Sequence, residues 1–78
     1  MLFMLLGGIL SGYTVHAQQI SSSRVPPAAA RAFHQRYPQI HHVVWEKEGK
    51  NFEANWKENH FDHSAVFTPD GHFVSSET

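Results

Sequence analysis

Seventy-eight residues, with six Lys and Arg against seven Asp and Glu, leave room for one small domain of net charge −1. The chain has no cysteine, which excludes disulfide staples, thiolate chemistry and a thioether lipid anchor. Balanced charge excludes the basic surplus that nucleic acid or an anionic membrane surface calls for, while seven histidines leave the net charge sensitive to mild acid.

The chain opens on an apolar run, Met1 to Leu10 (MLFMLLGGIL), loosened by Ser11, Gly12 and Thr14. Val15-His16-Ala17 then ends in a small residue before the polar pair Gln18-Gln19, as a signal peptidase requires. Residues 1–17 therefore read as a signal peptide, and the run is too short to span a bilayer comfortably as a helix. No Lys or Arg precedes Arg24, so either the chain starts upstream or the α-amino group supplies the usual positive charge. The expected location is periplasmic or secreted, with no stable membrane insertion once the signal is removed.

Gln18 to Arg24 (QQISSSR) is polar and serine-rich and reads as a flexible lead-in, which puts the domain at residues 25–78. Pro26-Pro27 suits a first helical turn, and Ala28 to Arg36 is rich in helix formers. Val25, Ala29, Ala32, Phe33 and Tyr37 share one side at helical periodicity, with Arg31, His34 and Gln35 opposite. Pro38 disfavours a helical Tyr37, so the helix is expected to stop near Arg36.

After Pro38 the period becomes two. Val43 and Trp45 share a face of a first strand. Phe52, Ala54 and Trp56 define a second, His63, Ala65 and Phe67 a third, and His72 to Ser76 a weaker fourth. Glu48-Gly49-Lys50, Glu58-Asn59-His60 and Pro69-Asp70-Gly71 punctuate them. A Glu48-Gly49 loop sets Trp45 opposite Phe52 and Val43 opposite Ala54, with every large apolar group on one face. The expected fold is α+β, one short N-terminal helix packed on a four-stranded antiparallel β-meander, preceded by a signal peptide.

Val25-Pro26, Tyr37-Pro38, Val44-Trp45-Glu46, Phe52-Glu53-Ala54, Ala65-Val66-Phe67 and Asp70-Gly71-His72-Phe73 occur in that order. In this the chain resembles the PepSY-like family, β-lactamase-inhibitor-like exported bacterial proteins, from Val25 to Thr78. The resemblance implies a helix on an antiparallel sheet outside the cytoplasm, no catalytic residues, and binding or inhibition of other proteins. Such proteins usually carry a second helix-plus-sheet unit. Here the chain stops at Ser76-Glu77-Thr78, so a homodimer or an unknown envelope or extracellular protein is expected to complete it.

No serine sits in a glycine-flanked elbow and no glycine-rich phosphate loop exists, so no enzyme activity is expected. Glu46 and Glu53 can meet as paired carboxylates on the polar sheet face. His60-x-x-His63 is the best metal-like spacing, but His63 shares the apolar face with Ala65, and a zinc site needs three or four convergent ligands. The outer sheet face carries His42, Val44, Glu46, Glu53, Asn55, Lys57, Ser64 and Val66. The expected function is a non-catalytic, inhibitor-like protein-binding module that uses this face or a sheet edge and needs no cofactor. The alternative is a His-mediated metal-binding or metal-buffering protein through His60 and His63.

Overall fold

In the computed structural model residues 18–78 are described, and the expected signal peptide at 1–17 lies outside them. Prolines set both ends of the helix. Pro27 takes the first turn of α1 (Pro27–Arg36), where its missing N–H has no partner to lose. Pro38 keeps Tyr37 out of helical conformation, at φ −128° and ψ 65°, so α1 ends at Arg36 as the sequence predicts. The Tyr37 N–H closes the last turn onto the Phe33 carbonyl at 2.8 Å.

Among the described residues the sheet holds five antiparallel strands rather than the four expected: β1 (Gln18–Ile20), β2 (Val44–Glu48), β3 (Asn51–Glu58), β4 (Phe61–Phe67) and β5 (Phe73–Glu77), side by side in that order. The additional strand lies in the segment expected to be a lead-in. Gln18 pairs with Lys47 and Ile20 with Trp45, which puts the apolar side chain of Ile20 beside the core. Three residues with one apolar member are too few to show a period, which is why the sequence hides this strand. A short 3-10 turn, Ser22–Arg24, then leads into α1.

The hairpins follow turn chemistry. Gly49, at φ +60°, leads a Gly49-Lys50 loop as in a type II′ turn, and Glu48 stays in the ladder opposite Asn51. The turn thus sits one residue later than expected. Trp45 faces Ala54 and Lys47 faces Phe52, a displacement of two that keeps every side chain on its expected face. Asn59 and His60 form the next loop, both with positive φ, at 56° and 70°. In the third, the Gly71 N–H donates to the Thr68 carbonyl, and Thr68 Oγ1 accepts from the His72 N–H at 2.9 Å and donates to Asp70. A bulge leaves Val74 unmatched, because Phe67 pairs with Phe73 and Val66 with Ser75.

Alternation sends Trp45, Phe52, Ala54, Trp56, Ala65 and Phe67 to the face covered by α1, and all are buried there. Phe33 is the hub. Its ring lies 5.6 Å from Trp45, 5.3 Å from Trp56 and 6.3 Å from Phe67, all edge-on, a geometry favoured for aromatic pairs. Val25, Ala29 and Ile40 complete the core, with Ala32, Tyr37 and Val43 packed on its margin. The C-terminal hairpin also touches the helix. A Cβ on Gly71 would meet the Ala28 carbonyl oxygen at 2.8 Å, so only glycine fits, and its φ of +93° suits the same residue.

Candidate functional site

The outer sheet face is built in rows across the strands. Gln19, Glu46, Glu53, Val66 and Ser75 make one row, and Val44, Asn55, Ser64 and Glu77 the next. Glu46 and Glu53 are direct cross-strand neighbours, so the two carboxyl groups meet as the sequence suggests. Burial first, then hydrogen bonding to Glu46 and the charges of Glu48 and Glu46, push the Glu53 carboxyl up from 4.5 to about 7. The Asn55 amide opposes this and also donates to Glu46 Oε1 at 3.3 Å. This pair can hold and release a proton near neutrality.

The remaining outer-face residues divide sharply. Val66 is only 7% exposed, so it offers little contact surface, whereas Val44 is 47% exposed. Lys57 Nζ and Asp62 Oδ1 pair at 2.6 Å, and Lys57 holds the Asp62 carboxyl below the usual carboxylate range. Ser64 faces Asn55 and Glu77. His42 precedes β2 rather than lying within it and lines a cleft of about 550 Å³ together with His34, His41 and Trp56.

His60 and His63 do not converge. His60 is an exposed turn residue. His63 stacks on Trp56 with rings 5.6 Å apart and 14° from parallel, and its two ring nitrogens lie 3.3 Å from the Glu58 carbonyl and Thr78 Oγ1. Among the described residues no group of three His, Asp or Glu is placed to hold a metal ion.

The sheet edge expected as an alternative binding surface lies at β5, expected over His72 to Ser76 and observed at Phe73–Glu77. All five residues of β5 are exposed, and among the described residues only β4 pairs with it. Phe73 and Val74 keep 38% and 49% of their surface open. Between this edge and α1 runs a groove of about 290 Å³, lined by Ala32, Gln35, Arg36, Phe67, Gly71 and Phe73. The Arg36 guanidinium lies 3.6 Å from the centre of the Phe73 ring. No sequence period marks this groove, because it is made by a helix end meeting a strand edge nearly forty residues away.

Fold and surfaces together define a small α+β domain with a polar sheet face and, among the described residues, a bare sheet edge beside its helix. The chain belongs to the Nicastrin large lobe family, whose model matches residues 8–74. This match overturns the PepSY-like resemblance. The residues that carried it are a helix stop at Tyr37-Pro38, a core strand at Val44-Trp45-Glu46 and a turn at Asp70-Gly71, punctuation that any helix-plus-meander needs. No helix among the described residues is long and apolar enough to cross a membrane. No curated protein and no solved structure matches the chain significantly.

Proposed function

We propose that the chain is a non-catalytic binding module of the periplasm or extracellular space, which takes up an extended segment of another protein along β5. The observation that carries this reading is the bare edge of Phe73–Glu77, five exposed residues whose outward backbone groups have no strand beside them among the described residues. Such an edge is a template for strand addition, in which backbone hydrogen bonds give affinity and flanking side-chain grooves give selectivity. The opposite edge is far less inviting, because β1 is only three residues long. β5 carries neither proline nor lysine, and the bulge at Val74 is the one edge safeguard along its middle.

Amide spectra of the isotope-labelled protein, titrated with extended peptides selected from a random library, test the reading. The expected result is a set of shifts centred on Phe73 to Glu77, abolished by Ser75→Pro, which sets a proline in the exposed edge strand. Selected peptides that shift the Glu46/Glu53 face instead, or a selection that enriches no peptide, would overturn it.

A further inference from the structure

Arg36 closes α1 and lies beside the bare edge. Its guanidinium stacks on the ring of Phe73, and among the described residues it makes no ion pair or hydrogen bond. Stacking occupies only the flat faces of a guanidinium. The N–H fork along its rim stays available, and that fork matches a carboxylate oxygen for oxygen. Phe73 is paired with Phe67, so it sits on the helix side of the sheet. A strand laid against β5 would therefore send the side chain opposite Phe73 to the helix side as well, into the groove lined by Ala32, Arg36 and Phe73.

The charges around that position favour an anion. Within the groove Arg36 is the sole charged residue, and the other lining residues are apolar or uncharged. Nearby, Asp70 is engaged by Thr68 and lies 3.4 Å from His72, while Glu77 projects to the outer face opposite Ser64. We infer that the segment captured by β5 carries an acidic side chain at the position opposite Phe73, held in a two-pronged pair with Arg36. This inference rests on the strand-addition reading and adds to it the chemistry of the partner.

Two capped heptapeptides of alternating threonine and valine, one with a central glutamate and the other with glutamine there, separate the two ideas. Binding is followed by the amide shifts of Phe73 to Glu77. The glutamate peptide is expected to bind about three- to fivefold more tightly, the range for a partly exposed charge pair. Arg36→Gln should erase the difference between the two peptides, and Arg36→Lys should restore part of it. Equal binding of both peptides would overturn the acidic-residue inference and leave strand addition standing. Shifts with neither peptide would overturn both. Recovery of affinity by a glutamine peptide with a free C-terminus would assign Arg36 to a terminal carboxylate and overturn the side-chain assignment.

Discussion

Glu53→Gln is expected to stabilise the domain at neutral pH and to change little near pH 4. In the folded protein Glu53 takes up its proton at about 7, against 4.5 for an unconstrained glutamate, because it is part-buried and faces Glu46. Between those two values the folded state binds more protons than the unfolded state. Stability therefore falls as pH rises through that window, being fully present below 4.5 and lost above about 7. A displacement of this size corresponds to about 3 kcal/mol at full strength. Water reaches one side of the carboxyl, so screening brings the expected effect to about 1–2 kcal/mol. Glutamine keeps the shape and the hydrogen bond but never ionises. Asp62 and Asp70 do not confuse the measurement, since both are held below 3.8 and act only in stronger acid. Urea melts of both proteins at half-unit steps from pH 4 to pH 8 give the two curves. A variant whose stability falls with pH as steeply as the parent's, or one less stable than the parent at pH 7.5, would refute the shared-proton account.

Three further substitutions probe the fold. Trp45→Ala removes a buried ring packed edge-on to Phe33 and should cost about 3–5 kcal/mol in urea melts, most of the stability of so small a domain. Gly71→Ala sets a methyl group against the Ala28 carbonyl at a positive φ; a loss of about 1–3 kcal/mol is expected by thermal melting, with shifts in the amides of Ala28 and Ala29. His60→Gly relieves a left-handed backbone and should raise stability by about 0.5–1 kcal/mol, the reverse of what a structural metal ligand would show.

Much of this architecture is legible because a few residues dictate it locally. Pro27 and Pro38 bracket the helix, and the alternation of Phe52, Ala54 and Trp56 assigns the faces of β3 before any pairing is known. That Glu46 and Glu53 share a face is legible for the same reason, but it is the displaced first turn that makes them direct cross-strand neighbours. What escapes the sequence is long-range. β1 has no period of its own and forms because Ile20 finds a place beside Trp45. Ile40 looks like a loop residue yet is buried, and Val66 shares the outer face yet is buried too. The groove at Arg36 and Phe73 exists only once helix and hairpin are docked. The family assignment escaped for a different reason: turn and helix-stop residues report local geometry, and many unrelated chains share them.

From β2 onward the strands lie in the sheet in the order in which the chain makes them. Among the described residues β5 is therefore held on one flank only, by β4, by the Gly71 contact with Ala28 and by the ring of Phe73 under Arg36. It is free to loosen by itself, at a fraction of the energy needed to open β3, which is flanked on both sides. Solvent exchange should accordingly be graded across the molecule, slow at β3 and rapid at β5. A strand added at this margin would turn the most easily opened part of the sheet into an interior one, so that capture and ordering of the last strand become the same event.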